Sequence, residues 1–320
     1  MTALVPLVLS PVLSLVLAVP CVFWTEGAES RGALEAAAVR RLCVPPEQID
    51  VWSAAGFSVT PLTEAQLSAR DALPSPGITA RAGLASPTRS PWIVANGWRF
   101  TRNPAATYVY TVPAGKAALA AAEAFAYGAD AVLKIDPADA GSVGAMLTFL
   151  ERLPAADLPP VADLGVIDDG SAITGEVMNL LARRNLLFEA VRAPSARFRI
   201  NVAVGSAEFP REEAADPSAL AVKIRRLLTD EQRTVRVYGS EMVICRLTGD
   251  AGRLRLHLIN YGGRDIEGLR IRLRGTYRDG EVHVAGAGRL PLQDHAVAGD
   301  ATEFSVPRIA TYAMVDLRQR

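Results

Sequence analysis

The chain has 320 residues, enough for two or three domains with cores of their own. Lysine plus arginine numbers 34 and aspartate plus glutamate also numbers 34, so no net field favours nucleic acid as a partner. Cys21, Cys43 and Cys245 lack metal-ligand spacing and cannot all pair with one another, so we interpret them as buried or incidental thiols. The composition therefore predicts no metal site.

The first twenty residues are rich in leucine and valine and carry no charge. We predict a signal peptide over residues 1–20 with cleavage near Ala18, although the positively charged residues that usually begin a signal peptide are missing. The alternative is a buried first segment of the fold, and Pro20 disfavours a lipoprotein signal at Cys21. The apolar run is short and interrupted by proline, so we expect no stable membrane span after processing. Export would place the protein in the periplasm or outside the cell.

A β-α rhythm at short spacing follows the signal, and this rhythm is typical of a parallel sheet or barrel. Residues 73–91 are rich in proline, serine, glycine and arginine and predict a long loop, a type of segment that often carries function. We assign residues 21–155 to a partial (β/α) barrel-like domain. Its predicted strands are 21–24, 43–44 and 57–60, and its predicted helices are 33–41, 47–55 and 63–72.

Residues 91–100 predict an apolar strand that runs into Asn96, Trp98 and Arg99. Aromatic and amide side chains at a strand end can stack on a sugar ring and bind its hydroxyls. These three residues are our candidates for substrate binding. The alternative is that Trp98 packs under the preceding loop.

An alanine-rich helix ending at Tyr127 is followed by the capping residue Gly128 and an apolar strand over residues 131–135. Asp136 follows that strand, at the edge where α/β folds build their sites, and Glu26 follows the first predicted strand in the same way. We therefore predict Glu26 and Asp136 as the catalytic pair. Helical phase puts Glu123 opposite the expected buried stripe, which predicts a surface or inter-helix residue.

The segment 154–160 is bounded by proline and predicts a linker. Residues 161–239 predict a small doubly wound α/β domain of flavodoxin or amidotransferase type, with residues 234–238 as its fourth strand. The G-x-G-x-x-G spacing is absent from its first turn, so we predict no dinucleotide and no cofactor. Asp168 and Asp169 are interpreted as capping and turn residues. From residue 240 to residue 320 a period of two predicts an antiparallel β-sandwich.

Three segments together resemble the β-galactosidase-like glycoside hydrolases, which follow a TIM-type barrel with an amidotransferase-like domain and a β-sandwich. The segments are Tyr127-Gly-Ala-Asp after the alanine-rich helix, Asp163-Leu-Gly-Val-Ile-Asp-Asp-Gly, and His257-Leu-Ile-Asn-Tyr-Gly together with the ending Phe304-Ser-Val-Pro-Arg-Ile-Ala-Thr-Tyr-Ala-Met-Val. The resemblance implies an α/β multidomain protein that acts on carbohydrate.

The chain departs from that family in its catalytic elements. About 130 residues precede the linker, whereas an eight-fold barrel needs about 250, so the barrel would be truncated or degenerate. The Asn-Glu pair of those enzymes and the Gly-x-Cys-x-Gly elbow of amidotransferases are both missing. We therefore transfer no catalytic residue from the family.

Two functions remain open at the level of sequence. The first is hydrolysis or binding of a saccharide at the barrel rim, where carboxyls about 5 Å apart would retain configuration and carboxyls about 6.5 to 9.5 Å apart would invert it. The second is a non-catalytic binding or assembly protein whose later domains mediate homo-oligomer formation.

Overall fold

The computed structural model describes residues 19–79 and 92–319. The predicted cleavage point near Ala18 and most of the predicted long loop lie outside these residues. Among the described helices, none combines the length and apolar character needed to cross a membrane.

A parallel six-stranded sheet forms the first part of the chain, in the order β3-β2-β1-β8-β7-β4. The strands are neighbours in chain order, and the last strand, β8, pairs with the first, β1. The ring of strands is open between β3 and β4. The sheet is therefore a partial barrel, as the sequence predicted, and it has six strands among the described residues. The first eight strands are β1 (Cys21–Phe23), β2 (Arg41–Val44), β3 (Ser58–Pro61), β4 (Asp71–Leu73), β5 (Gly77–Thr79), β6 (Trp92–Val94), β7 (Thr107–Thr111) and β8 (Asp130–Lys134), of which β5 and β6 form a separate antiparallel pair.

Helices cover the two faces of this sheet unequally. The outer face, to which Val22, Leu42 and Leu133 contribute, shares one large core with all of the early helices except α3. The inner face, to which Phe23, Cys43 and Val132 contribute, packs against Leu67 of α3. These helices are α1 (Arg31–Ala36), α2 (Ile49–Ala54), α3 (Glu64–Ser68), α4 (Gly97–Arg102), α5 (Ala117–Tyr127) and α6 (Ala140–Glu151).

Helix α3 connects the two edges of the sheet. It begins with a capping box in which the Thr63 side chain accepts from Gln66 N and the Gln66 side chain accepts from Thr63 N. The prediction of one helix over residues 63–72 is wrong at its end, because residues 71–73 form strand β4. The chain thus passes from edge strand β3 to edge strand β4 across the inner face.

A disulfide joins Cys21 in β1 to Cys43 in β2 on the inner face. The interpretation of these two cysteines as incidental thiols is therefore wrong. Their strands are parallel neighbours, and the register pairs Phe23 with Cys43. Cys245 is a free, buried thiol.

The second part of the chain has a three-stranded parallel sheet in the order β10-β9-β11. Leu164 and Val166 of the central strand share a core with α7 and α9. On the opposite face, Gly165 lies close beneath the ring of Phe198, where a Cβ would come within 2.5 Å of that ring. The elements are β9 (Leu164–Ile167), α7 (Ala172–Arg183), β10 (Phe188–Val191), β11 (Ile200–Val202), α8 (Arg211–Ala214) and α9 (Pro217–Leu228).

The last part of the chain forms two antiparallel sheets around a common apolar core. One sheet has the order β12-β15-β19-β18 and the other the order β13-β14-β20-β16-β17. Strand β12 was predicted to complete the preceding α/β domain, but it pairs with β15 of the sandwich. The strands are β12 (Val235–Tyr238), β13 (Val243–Gly249), β14 (Arg253–Asn260), β15 (Ile266–Arg274), β16 (Asp279–Val284), β17 (Gly288–Pro291), β18 (Gln293–Ala298), β19 (Ala301–Ile309) and β20 (Tyr312–Arg318).

Helix α5 lies between the partial barrel and the sandwich. Its alanines pack in the same core as Ile244, Ile259, Tyr312 and Met314 from the sandwich sheet that contains β13. The helix ends at Gly128, whose φ of 64° is left-handed, and this position allows the chain to turn directly into β8. The described parts of the chain are thus joined through α5.

Candidate active site and interdomain cavity

The two predicted catalytic carboxylates follow neighbouring strands of the parallel sheet. The register pairs Phe23 of β1 with Lys134 of β8, and Glu26 and Asp136 come shortly after these residues. Both are exposed, and Asp136 Oδ1 accepts a 2.9 Å hydrogen bond from the backbone N–H of Ala138. The structure therefore brings both residues to the carboxyl edge of two adjacent strands.

A polar cavity of about 190 Å³ lies on the inner face beside α3. Thr111 and Lys134, the last residues of β7 and β8, contribute to its wall together with Glu64 and Arg70. Arg70 is held by Asp130 at 2.8 Å. The cavity places a cation and a carboxylate, Lys134 and Glu64, next to the edge from which Asp136 extends.

Asn96 lies two residues after the end of β6, at the N-cap position of helix α4, whereas Trp98 and Arg99 lie within that helix. The strand stops at Val94, and Trp98 and Arg99 belong to the short helix α4, so the prediction of one strand over residues 91–100 is wrong. Trp98 is 8 % exposed and packs with the core of the second α/β unit. The guanidinium of Arg99 stacks at 4.3 Å on the Trp98 ring. Their part in substrate binding stays a prediction.

Asn96 is fully buried at the start of α4. Its side-chain NH₂ donates to the Pro74 carbonyl at 3.0 Å and to Glu123 Oε2 at 3.1 Å, and its backbone N–H donates to Glu123 Oε1 at 2.5 Å. Asn96 is therefore bound to Glu123, and we find no hydrogen bond from it to Glu26 or Asp136 among residues 19–79 and 92–319.

Glu123 is the centre of a buried hydrogen-bond cluster. Besides Asn96, the hydroxyls of Tyr110 in β7 and Tyr261 after β14 donate to it at 2.6 Å and 2.7 Å. Burial raises the pKa of Glu123 above its ordinary 4.5, and the hydrogen bonds from Tyr110, Tyr261 and Asn96 oppose that rise. The surface half of the prediction is wrong, because α5 is covered by the sheet on one side and by the sandwich on the other. The inter-helix half agrees with the contact between Glu123 and Asn96 at the start of α4.

Tyr110 and Tyr261 are not among the site residues that the sequence predicts. Tyr261 belongs to the motif His257-Leu-Ile-Asn-Tyr-Gly, which is a usable signal, whereas Tyr110 lies in β7, for which the sequence analysis offers no motif. Burial, followed by the charge of Glu123, raises the pKa of both phenols well above 10.0. Both hydroxyls therefore stay protonated and serve as donors to the carboxylate.

Asp168 connects the second α/β unit to α4. Arg102 donates to its two carboxylate oxygens at 2.9 Å and 2.7 Å, and these bonds hold the pKa of Asp168 below its ordinary value. Asp168 and Asp169 also accept backbone N–H groups at Gly170 and Ser171. The interpretation of both as turn residues is confirmed, whereas the N-cap of α7 is Ser171. The sequence did not predict the ion pair between Asp168 and Arg102.

A second cavity, of about 220 Å³, lies where α4, α5, the second α/β unit and the sandwich meet. Trp98, Phe100, Tyr127 and Phe188 provide aromatic walls, and Arg246 of β13 is part of the same wall. Within the described ranges 19–79 and 92–319, no three His, Cys, Asp or Glu side chains come together to hold a metal ion.

The architecture, a partial parallel barrel followed by a small α/β unit and a sandwich, is that of glycoside hydrolases at the level of fold. The chain is similar to α-L-fucosidase isoenzyme 2 from Paenibacillus thiaminolyticus, with a TM-score of 0.54 and 10% identity over 83% of this chain and 69% of that one. No protein-family model and no curated protein sequence matches it. The resemblance to a glycoside-hydrolase arrangement is confirmed as a likeness of fold.

Two further solved structures are similar over most of the chain. A rhamnosidase from Novosphingobium sp. PP1Y has a TM-score of 0.47 and 10% identity, and a β-galactosidase from Bacillus circulans sp. alkalophilus has a TM-score of 0.42 and 9% identity. They cover 85% and 87% of this chain. The chain itself spans 38% of the rhamnosidase and 63% of the β-galactosidase.

Proposed function

We propose that the protein is a carbohydrate-active protein of glycoside-hydrolase ancestry that binds and hydrolyses a saccharide at the carboxyl edge of β1 and β8. The observation that carries this proposal is the exposure of Glu26 and Asp136 after two adjacent parallel strands of a fold shared with glycoside hydrolases. Glycoside hydrolysis uses two carboxyl groups, one as acid and one as nucleophile or base.

The neighbouring cavity on the inner face supports a ligand at this edge. Lys134 and Thr111 offer hydrogen-bond donors beside the strand ends, and Glu64 offers an acceptor. A sugar presents hydroxyls that both donate and accept, so this mixed set suits a saccharide. Because the fold is shared with an α-L-fucosidase, α-L-fucosides are the first substrates to assay.

The test is a hydrolysis assay of p-nitrophenyl glycosides, beginning with the α-L-fucoside, on the wild type and on Glu26→Gln and Asp136→Asn. Loss of a catalytic carboxyl lowers kcat about 100-fold or more, because proton transfer or nucleophilic attack is removed. Glu35→Gln on the exposed surface of α1 is the matched control and should keep full activity. Turnover that is unchanged in both Glu26→Gln and Asp136→Asn would overturn the catalytic assignment.

A second candidate function is saccharide binding without hydrolysis. It is favoured by the path of α3, whose Leu67 packs on the inner face of a sheet with only six strands among the described residues. In this case a glycan array should show binding that Glu26→Gln and Asp136→Asn weaken, while no glycoside is hydrolysed. Absence of both binding and hydrolysis would leave an assembly role.

We also propose that the protein works in the periplasm or outside the cell. The disulfide between Cys21 and Cys43 supports this, because such bonds persist mainly in oxidising compartments. Fractionation of cells that express the full chain, with detection of the shortened mature form, tests this proposal. A full-length protein confined to the cytoplasm would contradict it.

A further inference from the structure

The cavity between the three parts of the chain contains a cation, Arg246, that forms no ion pair within 4.0 Å with any of the described residues. Arg246 lies on β13, where Val243, Cys245 and Leu247 face the sandwich core and the alternate residues Ile244 and Arg246 face the partial barrel. The Arg246 side chain is half-buried in the cavity wall. Its position in the strand thus directs a guanidinium out of the sandwich and into the interdomain space.

Among the described residues, Arg246 makes neither a hydrogen bond nor an ion pair within 4.0 Å. Its guanidinium stacks on the ring of Tyr127 at 4.9 Å. Burial lowers the pKa of Arg246 from its ordinary value, and Tyr127 and Glu189 oppose this change. A guanidinium stays protonated in proteins, so Arg246 keeps a desolvated positive charge at this wall.

The neighbouring polar groups are already engaged or neutral. Arg102 is bound to Asp168, and both ends of the Asn185 amide are taken by Val243 O and Cys245 N. Burial raises the pKa of the Cys245 thiol to about 12, so it supplies no negative charge. Glu189 Oε2 accepts from Arg197 at 2.5 Å, so this carboxylate already has a cationic partner.

The size and the lining of the cavity indicate which ligand could supply a negative charge to Arg246. At about 220 Å³ it falls below the roughly 300 to 1,000 Å³ of pockets for drug-sized ligands, so a single ring is the appropriate size. Trp98 and Tyr127 line the cavity with aromatic rings, and Glu189 offers an acceptor for hydroxyl groups. A carboxylate would form a bidentate pair with the guanidinium.

We propose that this cavity binds a hexuronic acid, with the ligand carboxylate on Arg246, its ring against Trp98 and Tyr127, and its hydroxyls near Glu189. The site lies apart from the edge that contains Glu26 and Asp136, and the proposal does not depend on hydrolysis there. The junction of the three parts of the chain would then recognise an acidic sugar.

The test is isothermal titration calorimetry of the full chain with D-glucuronate and D-galacturonate, compared with D-glucose and D-galactose. We expect the uronates to bind at least about tenfold more tightly than the neutral sugars, the ratio that one charge-assisted pair of about 1.4 kcal/mol would produce. Arg246→Met should remove this preference. Arg246→Lys should keep part of it, because an ammonium retains the charge and loses the bidentate geometry.

Two matched variants locate the site. Arg308→Met removes an exposed arginine that pairs with Asp265 and should leave uronate binding unchanged. The double variant Glu26→Gln/Asp136→Asn should also bind uronates as the wild type does. The proposal is overturned if uronates bind no better than neutral sugars, if Arg246→Met binds them equally well, or if the double variant loses them.

Discussion

The hydroxyl of Tyr261, which follows β14 of the sandwich, donates a 2.7 Å hydrogen bond to the carboxylate of Glu123 in α5 of the partial barrel. The two residues are 138 positions apart in the chain, and both are completely or almost completely buried. The same carboxylate holds Tyr110 of β7 and Asn96 before α4. One side chain therefore connects the parallel sheet, the start of α4 and the sandwich.

This connection predicts a specific loss of stability in Tyr261→Phe. The ring remains, but the buried carboxylate loses one of its donors, and a hydrogen bond to a charged group contributes about 1.5 to 3 kcal/mol. We expect the free energy of unfolding in urea to fall by about 2 kcal/mol. Tyr238→Phe on β12 is the control, and its free energy of unfolding should stay within about 0.5 kcal/mol of the wild type. Equal values for the two variants would contradict the role of Tyr261.

The buried His257 predicts how stability changes with acid. Burial, helped by the nearby charges of Arg246 and Arg255, lowers its pKa from 6.5 to about 3. Since the folded pKa lies below the unfolded one, the contribution of His257 is fully present above pH 6.5 and is lost as the pH falls towards 3.

At about 1.4 kcal/mol per pKa unit this loss amounts to at most about 5 kcal/mol. His257→Gln keeps an acceptor for Tyr312, whose hydroxyl lies 2.7 Å from His257 Nδ1, and does not titrate. Urea unfolding at a series of pH values should therefore give a flatter slope between pH 6.5 and 3 for this variant. His295→Gln on β18 is measured in parallel as the control for removal of a histidine. An identical slope in wild type and His257→Gln would disprove the effect.

The strands that begin β-α units were predictable because each is a short apolar run followed by a turn or a helix start. Strands β1, β2, β3 and β8 lie within a few residues of their predicted positions. The sheet that a strand joins is a long-range property, and this explains the error at β12. Its sequence Val235-Arg-Val-Tyr alternates as a strand should, but its partner β15 is about thirty residues further along the chain.

The candidate site was less predictable because α5 is buried on several sides. For such a helix, the position of a residue around the helix axis does not show whether that residue is exposed. Phase analysis assumes one solvated face, and α5 has none over its last two turns, where residues 119–126 are all buried. An alanine-rich helix that is apolar nearly all round was the available signal for this burial. The apolar run before Asn96 predicts a strand that continues to Trp98 and Arg99, whereas contacts of Asn96 with Glu123 fix a helix start there. Local propensity was overridden by tertiary packing.

The disulfide between Cys21 and Cys43 predicts a dependence of stability on redox conditions. The two cysteines are 22 positions apart, and closing a loop of this length stabilises a fold by about 3 kcal/mol. We expect Cys43→Ser to lower the free energy of unfolding by this amount. Thiol titration of the unfolded, unreduced protein should find one free thiol, from Cys245, and three after reduction. Three free thiols without reductant would contradict the disulfide.

Replacement by methionine should change the free energy of unfolding differently at Arg246 and at Arg255. They lie on the adjacent strands β13 and β14, but Arg255 is paired with Asp316 at 2.7 Å and 2.8 Å, whereas Arg246 has no acidic partner within 4.0 Å among the described residues. Arg255→Met leaves a buried carboxylate with Arg253 alone and should lower the free energy of unfolding by about 3 kcal/mol. Arg246→Met removes a desolvated charge, so without ligand its free energy of unfolding should equal or exceed that of the wild type.

Chemical unfolding of the two variants, each compared with the wild type, measures this contrast. A loss in Arg246→Met as large as that in Arg255→Met would mean that the Arg246 charge is already compensated, and the cavity would then lack the reason we give for binding an anion.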